Sequence, residues 1–205
     1  MKGLEPRRFS QKIIYWISHT FSRIFFMTFG RLDLQGTENI PETGAAIFAS
    51  NHLSNFDPNL VGSCVKRPIY YFAKEELFRV PLLGWILAQV NAFPVKRQEH
   101  DVGAFKHAHK VLAANQAVLL FPEGHRSKTG ELGKAKAGVG MLAYKSGAPV
   151  IPVCVINSHR LFQFKKLKVA FGIPLRPKGG LPGKRNYQAF SDEIMAAIAD
   201  LKLKM

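Results

Sequence analysis

The sequence predicts an α/β fold in which helices flank a largely parallel central sheet. Apolar runs of strand length alternate with helical patterns along the chain, as they do in folds of this class. Two of these runs, Ala45–Ala49 and Ala117–Phe121, are apolar throughout, which is typical of strands buried on both faces. Each run ends directly in a polar loop. Because sites in open α/β sheets lie beyond the carboxyl ends of the strands, these two loops are the first places to search for function.

The N-terminal segment is predicted to be an amphipathic helix. From residue 10 to residue 25 the polar and apolar side chains fall on separate arcs at helical spacing, and the pattern continues to Phe29. It matches neither a secretory signal nor a spanning helix of about 20 apolar residues. Its aromatic side chains, with Lys2, Arg7 and Arg8 upstream, favour a helix lying in a membrane interface. The alternative is a helix packed on the protein's own core.

The remaining elements follow from periodicity and from the turn residues that bound them. The predicted strands are Arg31–Gln35, Ala45–Ala49, Ile69–Phe72, Ala92–Val95, Ala117–Phe121, Val150–Ile156 and Lys168–Phe171. The predicted helices between them are Pro81–Val90, Val102–Ala114 and Lys136–Lys145. A final helix has one apolar face, formed by Tyr187, Phe190, Ile194, Ile198 and Leu201. We therefore predict two parts, a membrane-associated helical segment over residues 1–30 and an α/β domain over residues 31–205.

The charge of the chain points to anionic partners. The 205 residues include 29 Lys and Arg against 14 Asp and Glu, a net charge of +15. Nucleic acid, an anionic membrane and phosphorylated substrates would all suit such an excess. The sequence has no RNA-binding aromatic signature, helix-turn-helix pattern or zinc spacing, so no nucleic-acid partner is predicted. The two cysteines, Cys64 and Cys154, are far apart in sequence, which favours reduced thiols and a reducing compartment.

The first polar loop reads Asn51-His52-Leu53-Ser54-Asn55-Phe56-Asp57. A histidine after a buried strand, with a carboxylate close by in sequence, is a candidate general base. The carboxylate of Asp57 can hold one ring nitrogen of His52 protonated and leave the other free to accept a proton. The alternative is structural, because Asp57 followed by Pro58 is also typical of the start of a helix.

The second polar loop, residues 122–127, follows the other buried run and reads Pro-Glu-Gly-His-Arg-Ser. Gly124 allows the backbone to approach a ligand closely. Arg126 presents a planar fork of donors that suits phosphate, and Ser127 could add a hydrogen bond. Glu123 could orient Arg126 or a substrate hydroxyl. The alternative is an ordinary turn carrying a surface salt bridge.

Taken together, the two loops resemble the phospholipid/glycerol acyltransferase family. The pattern Asn-His-x4-Asp followed by Phe-Pro-Glu-Gly-x-Arg-Ser is most similar to the lysophosphatidate (1-acylglycerol-3-phosphate) acyltransferases. Two weaker blocks agree, Lys74–Pro81 with Val95-Lys96-Arg97, and Ala148–Val153. The resemblance extends from Gly36 to Ile156. One departure is His125, which stands where the family usually has threonine and which bears on the identity of the acceptor.

The resemblance implies a reaction and a set of roles. His52 would take the proton from the sn-2 hydroxyl of 1-acyl-sn-glycerol 3-phosphate, with Asp57 orienting it, while the oxygen attacks an acyl thioester and phosphatidic acid forms. The residues implied in holding the glycerol phosphate are Glu123, Gly124, Arg126, Ser127, Arg97 and Lys74. The donor would be acyl-CoA or acyl carrier protein. The resemblance implies no cofactor and no metal. It also implies that the enzyme is bound to the cytoplasmic face of an anionic membrane.

Three alternatives compete with this interpretation. The acceptor could be another lysophospholipid or glycerol 3-phosphate. The chain could instead be a non-catalytic, basic membrane- or nucleic-acid-binding protein, since the charge alone permits it. A metal site built from His52, Asp57 and Glu123 is disfavoured, because few further ligands are placed for it and the reaction needs no metal.

The enzyme interpretation also requires an apolar groove for the acyl chain. Four side chains could either line this groove or belong to the core: Leu82, Leu83, Trp85 and Ile86.

Overall fold

A computed structural model describes residues 9–95, 102–178 and 183–205. Within these ranges, seven strands form one sheet. They are β1 (Asp33–Gln35), β2 (Ala46–Ser50), β3 (Ile69–Lys74), β4 (Ala92–Val95), β5 (Ala117–Leu120), β6 (Val150–Ile156) and β7 (Lys168–Phe171). Their order across the sheet is β1-β7-β6-β2-β5-β3-β4. Every predicted strand is present, with bounds that shift by no more than two residues at either end.

The helices cover both faces of this sheet. They are α1 (Phe9–Thr28), α2 (Asp57–Cys64), α3 (Pro81–Gln89), α4 (Val102–Ala113), α5 (Gly138–Ser146) and α6 (Lys184–Lys204). Short 3-10 helices span Thr37–Asn39, Glu75–Arg79 and Ser158–Gln163. The predicted α/β class is confirmed. Helix α2 is the addition to the predicted set; the sequence offered it as the structural alternative to a catalytic Asp57.

The sheet is largely parallel, as predicted. Strand β2 lies at its centre and pairs in parallel with β5 on one side and with β6 on the other. All five residues of β2 are buried, which explains why the run is apolar rather than alternating. The exception is β7, which runs antiparallel to β6 and parallel to the edge strand β1. The carboxyl ends of β2, β3, β5 and β6 therefore meet at one edge, and we call this the carboxyl edge.

Two apolar layers sandwich the sheet. On one face, α1 and α2 contribute Phe26, Leu60 and Val61 to a core with Phe48 of β2. On the other face, α4, α5 and α6 pack together over the same strands. The central strands are therefore shielded on both sides, and their loops at the carboxyl edge emerge from a rigid base.

Helix α1 lies on the body with its polar face inward. The Nε2 of His19 bonds the carbonyl of Val65 at 3.0 Å, and Arg23 donates to the carbonyl of Ser63 at 3.2 Å. Burial lowers the pKa of His19, and the hydrogen bond that its ring donates to the Val65 carbonyl partly offsets this effect. A neutral imidazole that donates through Nε2 is consistent with both. Tyr15 is also buried on this side. Helix α1 is therefore held on the body by polar contacts, an arrangement that the sequence alone left open.

The apolar face of α1 points outward instead. Ile17 is 63% exposed and Phe21 is 71% exposed. The other exposed apolar side chains of this face are Phe9, Ile13, Trp16, Ile24 and Met27, with Phe29 just beyond the helix. We call this surface the α1 stripe. In the described residues no helix combines the length and the apolar character needed to cross a membrane. Anchoring by residues 1–30 stays a prediction.

Helix α3 adds to the same kind of surface. Leu82, Leu83, Trp85 and Ile86 are all exposed, so the suggestion that they belong to the core is wrong. Pro81 starts the helix, and Gly84 packs its backbone against that of Phe78 so closely that an added Cβ would lie 2.3 Å from the Phe78 carbonyl oxygen. Helix α3 also contacts α1. The two helices thus present apolar side chains outward.

Candidate active site

The first loop is fixed by Asn51, directly after β2. Its amide is buried and forms two hydrogen bonds to the backbone of Val155 in β6. The Asn51 Nδ2 donates to the Val155 carbonyl at 2.9 Å, and the Val155 N–H donates to Oδ1 at 2.7 Å. The side chain therefore extends the pairing of β2 with β6 by one position. The sequence analysis assigned no role to Asn51, although an amide at the end of a buried strand is a recognisable signal for such a tie.

His52 and Asp57 form the predicted pair. The Nδ1 of His52 lies 2.8 Å from Oδ2 of Asp57. Because a carboxylate only accepts, the neutral imidazole carries its proton on Nδ1, and its lone pair is then on Nε2. The side chain of Asp57 is fully buried, whereas that of His52 remains 12% exposed. This arrangement suits a base whose orienting partner is shielded from water while its reactive nitrogen can be reached.

Asp57 also organises the loop around it. Its Oδ2 accepts the N–H groups of Leu53 and Ser54, at 2.6 and 2.7 Å. Asp57 is the first residue of α2, with Phe56 as the N-cap and Pro58 next. Its carboxylate therefore turns back to the preceding loop instead of capping the helix. A helix does begin here, as the structural alternative expected, but Phe56 and not Asp57 holds the N-cap position. The catalytic role of Asp57 stays a prediction.

The second loop holds the backbone of His52 from the other side. Oε1 of Glu123 accepts the His52 N–H at 3.2 Å, and the Ser127 N–H donates to the His52 carbonyl at 2.7 Å. The imidazole stacks on the ring of Phe121, with centroids 3.8 Å apart and planes inclined by 16°. The two loops that the sequence singled out are therefore one structural unit, and His52 is held by contacts to its backbone, its ring plane and its Nδ1.

Glu123 and Ser127 make contacts that differ from the predicted ones. The side chain of Glu123 is almost fully buried, and its Oε2 accepts the Gly133 N–H at 3.3 Å. The hydroxyl of Ser127 accepts the Gly130 N–H at 3.0 Å and so closes a turn. In the structure both residues brace the loops, whereas the sequence analysis expected both side chains to hold substrate. Glu123 does not pair with Arg126 as the sequence analysis suggested.

Gly124 has a backbone conformation that favours glycine, and its close approach to a ligand stays a prediction. Its φ of 73° lies in the left-handed region, which strains residues that carry a Cβ. An added Cβ would also stand 2.9 Å from the ammonium nitrogen of Lys136. Lys136 thus places an exposed cation over the loop, and its N–H bonds the carbonyl of Pro122 at 2.9 Å. From the sequence, Lys136 was predicted only as the start of a helix. The pair of lysines at positions 134 and 136, shortly after the second loop, was the signal available for a further cation.

Arg126 lies beside a cavity of about 310 Å³. The lining comes entirely from the second loop and its continuation: Glu123, His125, Arg126, Ser127, Lys128, Thr129, Glu131, Leu132 and Gly133. His52 is not part of the lining, but Glu123 and Ser127, which bond its backbone, are. The exposed side chains of His125, Arg126 and Lys128 make this side of the site suitable for an anionic group.

The other two predicted binding residues are Lys74 and Arg97. Lys74 ends β3, which neighbours β5 in the sheet, so it stands half-buried at the same carboxyl edge. Arg97 lies outside the described residues, and its predicted role stays a prediction.

The described residues offer neither a metal-binding cluster nor a reactive thiol. Among residues 9–95, 102–178 and 183–205, no three His, Cys, Asp or Glu side chains are grouped as metal ligands. Cys64 and Cys154 are free and buried. Burial raises the pKa of each thiol to about 12, so both remain protonated at neutral pH and neither is a nucleophile. The His52–Asp57 pair therefore remains the candidate for acid–base chemistry at the carboxyl edge.

The chain is similar in sequence and in structure to known acyltransferases. The acyltransferase family matches residues 31–156, which is more than half of the chain. A crystal structure of the 1-acyl-sn-glycerophosphate acyltransferase PlsC from Thermotoga maritima superposes with a TM-score of 0.77 at 26% identity. That match covers 97% of this chain and 84% of the other.

Two curated relatives show how much length is shared. The 1-acyl-sn-glycerol-3-phosphate acyltransferase of Bacillus subtilis is 29% identical over 182 residues, which is 86% of this chain and 90% of that protein. A chloroplastic 1-acyl-sn-glycerol-3-phosphate acyltransferase of Brassica napus is 29% identical over 157 residues, 75% of this chain. The match spans only 45% of the plant protein's length.

Proposed function

The chain belongs to the acyltransferase family, and from that premise we propose that it makes phosphatidic acid. It would transfer an acyl group from an acyl thioester to the free sn-2 hydroxyl of 1-acyl-sn-glycerol 3-phosphate. The observation that carries this proposal is the His52–Asp57 pair, held at 2.8 Å at the carboxyl edge and braced by the second loop. The bacterial and plant relatives are named as 1-acyl-sn-glycerol-3-phosphate acyltransferases, which supports this choice of acceptor.

The proposed mechanism uses general base catalysis without an acyl-enzyme. Nε2 of His52 takes the proton of the acceptor hydroxyl as its oxygen attacks the thioester carbonyl. The carboxylate of Asp57 stabilises the imidazolium that forms, and the proton then passes to the departing thiolate. No protein nucleophile is required, because the substrate alcohol is the nucleophile. The proposal includes no cofactor and no metal ion.

The phosphate of the acceptor is assigned to the second loop. Arg126 supplies a guanidinium at the cavity, and Lys136 supplies an ammonium over Gly124, where the absence of a Cβ leaves room. Lys74 and Arg97 remain further binding residues in this proposal. We assign Glu123 and Ser127 to positioning, because their polar groups bond the loops.

The substitution Arg126→Ala is expected to raise the apparent KM for the phosphorylated acceptor by about 10–100-fold and to leave kcat less affected. A hydrogen bond to a charged group contributes about 1.5–3 kcal/mol, and that contribution is lost in both the ground state and the transition state. Steady-state kinetics with defined lysophosphatidate measures both constants. Arg176→Ala serves as the matched control, because Arg176 is exposed beside Leu175, at the opposite edge of the sheet. An unchanged KM in Arg126→Ala would remove Arg126 from phosphate binding.

We propose further that the protein works at a membrane surface, bound through the α1 stripe. Exposed contiguous apolar surface of this kind is unusual for a protein that stays in water. A helix with an aromatic outer face suits the boundary between headgroups and acyl chains. The exposed side chains of α3 would extend the contact. The membrane's cytoplasmic face is the proposed location, since the two free cysteines are typical of a reducing compartment.

The double substitution Ile17→Ser with Phe21→Ser is expected to weaken binding to anionic vesicles by tenfold or more. Each exposed side chain would lose about 1.5–3 kcal/mol of apolar burial in the interface. Vesicle co-sedimentation measures the effect. Leu203→Ser is the control, since Leu203 is also exposed but lies on α6. Substitution is a cleaner test than deleting residues 1–30, because Tyr15 and Phe26 belong to the core. Equal binding by all three proteins would contradict anchoring by α1.

A panel of acceptors tests the proposed function directly. The purified chain is given lysophosphatidate, other lysophospholipids and glycerol 3-phosphate, each with acyl-CoA and with acyl carrier protein, and the products are identified by mass. Phosphatidic acid as the main product is the expected result. Turnover of a different acceptor would reject the proposed substrate, and His125 is the residue that motivates including the others. Absence of transfer to any acceptor would favour a non-catalytic, membrane-binding protein.

A further inference from the structure

The loop between β6 and β7, residues 157–167, exposes two phenylalanines; we call it the aromatic loop. Phe162 is 76% exposed and Phe164 is 68% exposed. Neither the proposed chemistry nor the α1 stripe uses them. Two large aromatic side chains left in water within one loop are unfavourable unless another surface covers them.

The aromatic loop is held in shape by its own contacts. Leu161 is buried and anchors the loop, and the Phe164 N–H donates to the Leu161 carbonyl at 3.2 Å. Nδ2 of Asn157 donates to the carbonyl of Lys166 at 2.9 Å across the loop. The φ of Phe164 is 53°, in the left-handed region, which costs about 1–2 kcal/mol for a residue with a side chain. The local structure therefore maintains a strained backbone while it holds the ring outward.

The aromatic loop lies between the active site and the end of α1. The ring of Phe162 packs edge-on against Phe56, with centroids 5.8 Å apart and planes inclined by 73°. Phe56 directly precedes the buried carboxylate of Asp57. At its other end, the Leu167 N–H donates to the carbonyl of Gly30 at 2.8 Å. Gly30 directly follows the exposed Phe29. The loop thus continues the α1 stripe to the catalytic loop along the carboxyl edge.

The charges of the aromatic loop identify the partner it fits. Arg160, Lys165 and Lys166 are exposed and flank the two phenylalanines. Lys166 also pairs with Asp33 at 2.9 Å, which fixes one of these cations near β1. Aromatic rings between cations match the headgroup region of an anionic lipid surface, where rings enter the interface and each nearby cation contributes about 1 kcal/mol. An acidic protein surface would satisfy the cations but would leave the exposed rings without apolar cover.

We propose that the aromatic loop is a second membrane-contact site, in which Phe162 and Phe164 enter an anionic lipid surface beside the active site. Contact at both α1 and this loop would fix the tilt of the domain on the membrane. The catalytic loop would then face the headgroup layer, where a single-chain lysolipid resides. The consequence for the acceptor rests on the proposed function, whereas lipid contact by the loop does not.

Site-specific fluorescence tests the contact. The new thiol of Phe162→Cys is labelled with an environment-sensitive fluorophore. The native thiols of Cys64 and Cys154 should not react, because both are buried and have pKa values of about 12. Vesicles of phosphatidylcholine and phosphatidylglycerol should shift the emission to the blue. The matched control is Ile173→Cys. Ile173 is 74% exposed but follows β7, at the edge opposite the aromatic loop, so its label should show no shift.

Three results would overturn the proposal. The first is vesicle-bound protein whose label at position 162 does not shift. The second is an equal shift at position 173. The third is a shift produced by acyl carrier protein in solution without vesicles, which would assign the loop to a protein partner.

A second variant separates lipid contact from the proposed reaction. Phe162→Ser with Phe164→Ser should lower turnover of lysolipid embedded in vesicles at least several-fold. Turnover of a short-chain, water-soluble lysolipid should stay within about twofold of the wild type. Equal loss on both substrates would contradict the membrane role and indicate damage to the site. If the wild type turned over no acceptor, the proposed function would fail while the fluorescence result would still decide the contact.

Discussion

His52→Ala is expected to lower kcat by about 10²–10⁴-fold, the usual contribution of a general base. This loss corresponds to about 3–5 kcal/mol of transition-state stabilisation. The structure gives the reason, because Nε2 of His52 is the group left free to accept the hydroxyl proton once Nδ1 is bonded to Asp57. The apparent KM for the acceptor should change little, since the proposed phosphate contacts lie on the second loop. Single-turnover kinetics with lysophosphatidate and acyl-CoA measures the chemical step.

Two controls make this result specific. His109→Ala removes an exposed imidazole from α4 and should leave kcat unchanged. Vesicle binding by His52→Ala should match the wild type, because the α1 stripe is untouched. If His52→Ala retained more than about a third of wild-type kcat, another group would have to remove the proton.

The strands were predictable because the sheet is buried on both faces. A strand with no exposed side, such as β2, must be apolar at every position, and few other elements are both so short and so apolar. The location of His52 and Asp57 followed from the same logic, since a polar loop after such a strand emerges at the carboxyl edge. The two residues are five positions apart, so a short loop that folds back is enough to bring their side chains to 2.8 Å.

Residues whose role depends on distant partners were not predictable. Glu123 was expected to meet substrate, yet its oxygens bond the His52 N–H and the Gly133 N–H. The first of these partners is 71 positions away in sequence. The sequence left the orientation of α1 on the body open for a similar reason. Periodicity defines two faces of a helix, but only the carbonyls of Ser63 and Val65 decide that the polar face lies inward.

Asp57→Asn should lower kcat by about 10²–10⁴-fold with little change in KM. Oδ2 of Asp57 accepts three hydrogen bonds, from His52 Nδ1 and from the N–H groups of Leu53 and Ser54. An asparagine oxygen can take this position, but its neutral amide no longer stabilises the imidazolium. In the flipped orientation the NH2 group faces the two backbone N–H donors, which is unfavourable. It also donates to Nδ1 of His52, so the imidazole proton moves to Nε2 and the ring can no longer act as the base there.

The same substitution has a structural cost that must be measured separately. Oδ1 of Asp57 is buried and has no hydrogen-bond partner among the described residues. An NH2 group there would lack an acceptor, which costs about 1–3 kcal/mol of folding stability. Urea unfolding therefore accompanies the kinetics, and kcat is compared at a temperature where both proteins are folded. A folded Asp57→Asn protein with kcat within about threefold of the wild type would contradict a catalytic role for the carboxylate. Asp57 would then serve only to fold residues 52–57, which its bonds to Leu53 and Ser54 already achieve.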